Sequence, residues 1–177
     1  METARLVLCR PLRSDAAVIF ERYASDPEVT RYLGWPRHRS VADTDTFLTF
    51  SDQEWQRWLA GPYLIRRRDD GQLLGGTGLG FETAEQAVTG YVLAQDAWGK
   101  GYATEALAAM VQLARKIGVM RLYALCHPDT VRRGGFSRNA ASCPTPADRG
   151  RSSFQISHQA CCSMPRVTKG GSPIRQV

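Results

Sequence analysis

The first 126 residues carry two hydrophobic periods, one typical of strands and one typical of helices. Strands are predicted where apolar residues alternate with polar ones or run between turn residues, at 5–12, 62–68, 73–81, 88–93 and 121–126. Helices are predicted where apolar residues recur every three or four positions, at 15–24, 25–33, 40–59 and 103–117. The order is a strand, two or three helices, three antiparallel strands, a helix and a strand. It predicts an α/β fold with a mixed, mostly antiparallel sheet flanked by helices.

The hydrophobic pattern stops after Asp129. Fifteen leucines precede this residue and none follows it. Residues 130–177 hold eight Val, Ile, Met or Phe residues in 48 positions. Burial of a large apolar side chain contributes about 1.5–3 kcal/mol, whereas ordering one residue costs about 1–2 kcal/mol of backbone entropy. We therefore predict an irregular tail outside the packed core, and a sheet that ends at the strand 121–126.

The net charge of +6 belongs to this tail. Residues 1–129 have 15 Lys and Arg against 16 Asp and Glu, a net of −1, whereas residues 130–177 have 8 against 1, a net of +7. The tail offers only Phe136 and Phe154 for stacking on bases. Nucleic-acid binding through the tail is therefore the weakest of the functions considered.

Neither a membrane nor a metal is indicated as a partner. No apolar run reaches membrane-spanning length, and the first residues lack the features of a signal peptide, so we expect a cytoplasmic protein. The five cysteines do not have the spacing of metal ligands or redox pairs. They are Cys9, Cys126, Cys143, Cys161 and Cys162.

A glycine-bearing turn between a strand and a helix is the most informative local feature. Gly99-Lys100-Gly101-Tyr102-Ala103 follows the strand 88–93 and leads directly into the helix 103–117. The first N–H groups of a helix have no intrahelical acceptor and lie at the positive end of its dipole. Glycine and alanine also leave room for a phosphate, so the turn predicts an anion cradle. On glycine spacing alone, a purely structural turn is the commoner explanation.

The segment WGKGYATEA, residues 98–106, resembles the acetyl-CoA signature of the GNAT superfamily of N-acetyltransferases. It is most similar to the RimJ/RimL branch, which acetylates N-terminal amines of ribosomal proteins. Further similar segments are RLVL at 5–8, SDPEV at 25–29, YLGWP at 32–36 and CHPD at 126–129. The resemblance implies an acetyl-CoA-dependent acyltransferase domain over residues 3–129 and a basic tail over 130–177. The carboxyl-terminal helix and last two strands of the family then have no counterpart.

The resemblance also implies the binding site for acetyl-CoA as co-substrate. The backbone of residues 99–104 would hold the pyrophosphate, and the strand ending at Leu93 would pair with the pantetheine arm. A primary amine, from a protein N-terminus or a small molecule, would attack the thioester with the Leu93 N–H as oxyanion donor. Homodimerisation is left open. The implied cofactor-binding residues are Leu93, Ala94, Trp98, Gly99, Lys100, Gly101, Tyr102, Ala103 and Thr104.

No catalytic residue is assigned from the sequence. Glu82 and Glu85 are conceivable bases, but exposed loop carboxylates are more often simply solvated. Thr89 stands where relatives often carry a glutamate. Trp35 is a candidate for lining the acceptor pocket, although a Trp in such a turn packs at least as often. No tyrosine follows Tyr123 to protonate the leaving thiolate.

The departure from the family after Asp129 reads as a frameshift. Codons that can encode residues 135–142 spell V-L-E-K-C-G-F, a phrase typical of the branch, when two nucleotides are dropped. In the same frame, residues 154–160 give P-N-L-S-P-G, another such phrase. A genuine disordered basic tail is the alternative. The functions left open are an N-acetyltransferase and a catalytically defective remnant with weak or no coenzyme A binding.

Overall fold

A computed structural model describes residues 1–126 and 155–160. Its strands are β1 (Leu6–Cys9), β2 (Pro62–Arg67), β3 (Leu73–Phe81), β4 (Gln86–Leu93), β5 (Arg121–Cys126) and β6 (Gln155–Ala160). Its helices are α1 (Ala16–Ile19), α2 (Pro27–Thr30), α3 (Val41–Arg57) and α4 (Tyr102–Lys116). A π-helical turn over Phe20–Ala24 continues α1, and 3-10 turns lie at Arg13–Asp15 and Gln95–Ala97. The elements up to β5 follow the predicted order.

The six strands form one sheet in chain order. The pairings from β1 to β4 are antiparallel, and short turns join β2 to β3 and β3 to β4. The crossover through α4 makes β5 parallel to β4. The predicted mixed, mostly antiparallel sheet with flanking helices is confirmed.

Apolar residues pack on both faces of this sheet. In β2, Tyr63 and Ile65 belong to a buried cluster that includes Ala106 and Met110 of α4. Leu64, between them, belongs to a second cluster with residues of α1, α2 and α3. The alternation of β2 thus separates the face covered by α4 from the face covered by α1–α3.

Side-chain caps fix where two helices begin. The Asp26 carboxylate accepts hydrogen bonds from the N–H groups of Glu28 and Val29, at 2.8 and 3.3 Å, and so starts α2. The Asp43 carboxylate accepts from the N–H of Ser40 at 3.1 Å, which completes a capping box at the start of α3. The helix α3 ends at Arg57, two residues earlier than predicted.

The sheet does not end at β5, so that expectation is wrong. Residues 155–160 pair in parallel with β5, from Arg121 opposite Gln155 to Cys126 opposite Ala160. An irregular conformation throughout the tail is therefore also wrong for these six residues. Without this segment the edge of β5 would present unpaired N–H and C=O groups, and backbone pairing does not require the large apolar side chains in which the tail is poor. The remainder of the tail lies outside the described residues.

Candidate functional site

The glycine turn adopts a conformation that suits glycine and opens α4. Gly99 and Gly101 have φ of 72° and 78°, in the left-handed region, and Gly101 is the N-cap of α4. The Glu105 N–H donates to the Gly101 carbonyl at 3.2 Å, as an i to i−4 bond at the helix start. The N–H groups of residues 102–104 precede that bond and are directed out of the helix start. The prediction that residues 99–103 lie at a helix N-terminus is confirmed.

The turn has room for a ligand beside its backbone. A Cβ built on Gly99 would meet no described atom within 4 Å. A Cβ built on Gly101 would meet only Nη2 of Arg5, at 3.4 Å. The residues therefore form a cradle of the shape and polarity that a phosphate needs.

The start of β1 is tied to this turn by a network around Glu105. The Arg5 Nε donates to Glu105 at 2.7 Å, and its Nη1 donates to the Lys100 carbonyl at 2.9 Å. The other carboxylate oxygen accepts from the Thr3 hydroxyl at 2.6 Å and from the Arg5 N–H at 2.8 Å. The Arg5 guanidinium also lies 4.8 Å from the centre of the Tyr102 ring. Burial opposes ionisation of Glu105, but the hydrogen bonds from Thr3 and Arg5 outweigh it and lower the pKa of the carboxyl group.

The sheet opens between β4 and β5 just before the turn. Residues 87–93 of β4 all pair with β3, whereas only residues 86–89 pair with β5. The Ala94 N–H donates to the Leu74 carbonyl at 2.8 Å. Because antiparallel pairs alternate, the neighbouring Leu93 N–H is directed away from β3, into the opening. An extended chain entering there would find strand-like backbone on its β4 side.

Two close contacts shape the opening at Leu93. The Trp98 indole N–H donates to the Leu93 carbonyl at 2.8 Å, which joins the end of β4 to the residue before the turn. A Cβ built on Gly75 would lie 2.0 Å from the Val92 carbonyl oxygen and 2.9 Å from the Leu93 Cα. Only glycine at position 75 allows β3 and β4 to approach this closely where β4 separates from β5.

The face of β4 opposite α4 is exposed at Gly90. Ala87 and Leu93 belong to the cluster that includes residues of α4, whereas Val92 packs against the α1–α3 cluster. By alternation, Gly90 shares the face of Val92. Gly90 is exposed although its strand lies inside the sheet, and a Cβ built on it would meet nothing within 4 Å among the described residues. Because Gly90 has no side chain, the surface of the sheet is open at this position, beside the opening between β4 and β5.

The two conceivable bases lie at the other end of β4. Glu82 and Glu85 belong to the turn that joins β3 to β4, at the opposite end of the strand from Leu93. Both carboxylate oxygens of Glu82 are occupied, one by the Tyr123 hydroxyl and the other by the Gln86 amide. Burial and the neighbouring carboxylate raise the pKa of Tyr123. The structure does not bring Glu82 or Glu85 to the opening.

Trp35 has packing contacts that account for it. Its ring packs against the α1–α3 cluster and lies 5.2 Å from the His38 ring. His38 in turn contacts the Thr44 hydroxyl at 2.9 Å, and burial lowers the pKa of its imidazole. These contacts favour the packing role over the pocket role.

The nine residues implied as cofactor-binding occupy one continuous region. Leu93 ends β4, Ala94 follows it, and both are buried. Trp98 is half-exposed, and the other six form the turn and the first residues of α4. Sequence reasoning missed the residues that shape this region from elsewhere, which are Arg5, Gly75, Gly90 and Glu105. Arg5 and Glu105 lay inside quoted motifs, but no sequence signal linked two residues 100 positions apart.

Among the described residues, no helix is long and apolar enough to cross a membrane. The same residues contain no group of three or more His, Cys, Asp or Glu side chains that could hold a metal ion.

Comparison with known proteins identifies the family. The family model described as the acetyltransferase (GNAT) domain matches residues 5–136. The N-acetyltransferase YoaA of Bacillus subtilis (strain 168) is 29% identical over 134 residues, which cover 73% of this chain and 74% of that protein. The N-acetyltransferase p20 of Bacillus licheniformis is 27% identical over 130 residues, with 72% of each chain covered.

Solved structures share the fold at lower identity. RimL, a ribosomal-protein alpha-N-acetyltransferase solved in complex with coenzyme A, superposes with a TM-score of 0.67 at 20% identity, over 78% of this chain and 80% of that one. The acetyltransferase MccE, solved with acetyl-CoA and AMP, gives 0.64 at 18% identity over 75% of each chain. The family match spans the glycine turn, the opening and Arg5, which contacts the turn. The chain therefore belongs to the GNAT family of acetyltransferases.

Proposed function

We propose that this chain is an N-acetyltransferase that moves an acetyl group from acetyl-CoA to a primary amine. The observation that carries the proposal is the continuity of two features, the opening beside Leu93 and the glycine turn at the start of α4. One offers strand-like backbone for an extended arm, and the other offers N–H groups for a phosphate. A coenzyme A molecule has both parts, in that order.

The residues present fit this donor. The N–H groups of residues 102–104 would hold the pyrophosphate, beside the space that Gly101 leaves. The Leu93 N–H is directed into the opening, and we assign it to the pantetheine arm or to the acyl oxygen. The donor supplies an activated thioester, and the chain supplies orientation through the fixed backbone at these positions.

The acceptor would approach over Gly90, on the face opposite α4. The exposed surface at Gly90 lies on the part of β4 that does not pair with β5. An amine there would reach an acetyl group held in the opening. The name of RimL supports a protein N-terminus as one acceptor class, and a small amine is the other. Because Glu82 and Glu85 lie at the far end of β4, we assign proton removal to solvent at the exposed face of Gly90 rather than to either carboxylate.

A catalytically defective remnant is the second candidate. The family model matches residues 5–136, which leaves residues 137–177 without a counterpart in that match. If that part of the family completes the site, a chain without it would bind the donor weakly and turn over slowly.

Two measurements separate the candidates. Calorimetric titration with acetyl-CoA tests the donor site, and the proposal expects saturable binding with one site per chain. Transfer of radiolabelled acetyl groups to a panel of peptides and small amines then tests catalysis. Binding without transfer to any amine supports the remnant, and no binding at all contradicts the proposed donor. Homodimerisation and a cytoplasmic location stay sequence-based predictions, and nucleic-acid binding stays the weakest alternative.

A further inference from the structure

We infer that Arg5 binds the diphosphate of the coenzyme directly through Nη2, in addition to holding the glycine turn in place. The inference rests on the proposed function, because it assigns a phosphate-binding role within that donor site to the residue just before β1. The turn and the helix start supply backbone donors, and Arg5 would add a charged side-chain donor from another part of the chain.

The hydrogen bonds of Arg5 leave one nitrogen available. Its Nε donates to Glu105 and its Nη1 donates to the Lys100 carbonyl. Within the part of the chain that the structure describes, these bonds do not use Nη2. The side chain is 49% exposed, so a ligand can reach that nitrogen.

The position of Nη2 matches the expected ligand position. It lies 3.4 Å from the point where a Gly101 Cβ would stand. Because Gly101 has no Cβ, an anion could approach the turn through this position. A phosphate bound to the N–H groups of residues 102–104 would therefore lie beside a guanidinium N–H, and charge-assisted bonds of this kind are among the strongest in proteins.

The other contacts of Arg5 hold its guanidinium in place before a ligand arrives. The Tyr102 ring lies 4.8 Å from the guanidinium carbon, and the contacts to Glu105 and Lys100 fix two edges of the planar group. An arginine can make these contacts and still offer a donor, because its fork carries five N–H groups. A lysine at this position would supply the charge without the fork.

The effect of Glu105→Gln on the affinity for acetyl-CoA, compared with that of Arg5→Ala, separates direct phosphate binding by Arg5 from a purely structural role. If Arg5 only holds the turn, removing either partner loosens the turn and weakens binding to a similar extent. If Arg5 binds phosphate, Arg5→Ala removes a ligand contact, whereas Glu105→Gln removes a negative charge near the anion and keeps the cation.

The experiment is calorimetric titration of acetyl-CoA into the full chain and four variants, Arg5→Ala, Arg5→Lys, Glu105→Gln and Arg10→Ala. Arg10 is the matched control, since it also pairs with a carboxylate, Asp52 at 2.9 Å, and lies over an aromatic ring, that of Trp55. We expect Arg5→Ala to weaken binding about tenfold or more, the loss of one charge-assisted hydrogen bond. Arg5→Lys should recover part of the loss, Glu105→Gln should weaken binding less than Arg5→Ala does, and Arg10→Ala should stay within about threefold of the wild type.

Repeating the titration with 3′-dephospho-acetyl-CoA identifies the phosphate. An equal loss for Arg5→Ala with this ligand supports contact with the diphosphate, and disappearance of the loss overturns it in favour of the 3′-phosphate. Equal losses for Arg5→Ala and Glu105→Gln would show a purely structural role and overturn the inference. Unchanged affinity of Arg5→Ala, with wild-type binding intact, would overturn the inference alone. Absence of binding to the wild type would overturn the donor site and this inference together.

Discussion

Two glycines with the same local conformation have different surroundings in this protein. Gly71 and Gly101 have φ of 71° and 78°, a region that costs other residues about 1–2 kcal/mol. Gly71 lies in the turn between β2 and β3 with open space around it, whereas Gly101 lies at the N-terminus of α4 beside Arg5. The backbone requirement is thus the same at both positions, and only the position at α4 lies in the proposed donor site.

Replacing these glycines separates the two requirements. Gly101→Val should abolish detectable acetyl-CoA binding, because a branched side chain would fill the phosphate position. Both variants should lower the free energy of unfolding by about 1–2 kcal/mol, but Gly71→Val should leave binding unchanged. Urea unfolding and calorimetric titration measure the two effects. Undiminished binding by a folded Gly101→Val chain would remove the turn from the proposed site.

Gly75 is a second position where the surroundings exclude a side chain. Gly75→Ala should destabilise the fold by about 1–3 kcal/mol, since the new Cβ would stand too close to the Val92 carbonyl for the strands to keep their spacing. Gly90→Ala is the control in the neighbouring strand, because its Cβ enters open space. Equal unfolding free energies for the two variants would argue against the close approach of β3 and β4.

At the scale of elements, the turn is held by the segment before β1 as well as by α4. The Glu105 carboxylate joins Thr3 and Arg5 to the first turn of the helix. Its pKa is lowered, so the folded state favours the ionised form. Ionisation therefore stabilises the fold at pH values above the ordinary value of 4.5, and the contribution is lost as pH falls through the lowered value.

Glu105→Gln should remove this pH-dependent contribution. The variant should be less stable than the wild type by about 1 kcal/mol at pH 7, a modest amount because Arg5 is half-exposed. The difference should shrink below pH 4.5 as the wild-type carboxylate takes up its proton. Glu28→Gln is the control, because Glu28 is exposed and its carboxylate lies 3.8 Å from Arg31, too far for a hydrogen bond. Unfolding free energies at several pH values provide the test, and a difference that does not vary with pH would contradict it.

Hydrogen exchange at the edge of β4 inside the opening should respond to the donor. The Leu93 amide is directed away from β3, whereas the neighbouring Val92 amide faces β3 in the ladder. Saturating acetyl-CoA should slow exchange of the Leu93 amide about tenfold or more, because bound ligand orders and pairs with this edge. The Val92 amide should change little. Residue-resolved exchange by NMR measures both, and equal exchange of Leu93 with and without acetyl-CoA would contradict pairing with the donor.

At the scale of the whole molecule, residues 1–126 and the tail are stabilised differently. Residues 1–126 bury apolar clusters on both faces of the sheet, and the family match covers them from residue 5. The tail contributes the strand β6 through backbone pairing with β5. A strand can thus be added at a sheet edge by a segment that has too few apolar residues to build a core of its own.

Restoring the reading frame near codon 130 should raise activity. If this chain is the defective remnant, it should transfer little acetyl, and the frame-restored chain should transfer on the order of a hundredfold more, because the resemblance implies that the restored part carries an acid and a helix of the site. We also expect protease to cleave this chain after residue 129 sooner than the restored one. Acetyl-CoA turnover and timed proteolysis of both chains give the comparison. Equal turnover, or equal resistance, would contradict the frameshift hypothesis.

The sequence by itself determined the features that depend on neighbouring residues. The periodicity of apolar positions predicted the helices and strands up to Cys126, and Gly99 and Gly101 predicted a turn at a helix start, because side-chain direction and φ are local properties. Only the tertiary structure decided which distant segments meet. It joined Arg5 to Glu105, opened β4 beyond Thr89, placed Glu82 against Tyr123 and paired β6 with β5. These contacts depend on strand register and on the packing of whole elements, and neither is encoded within a single stretch of chain.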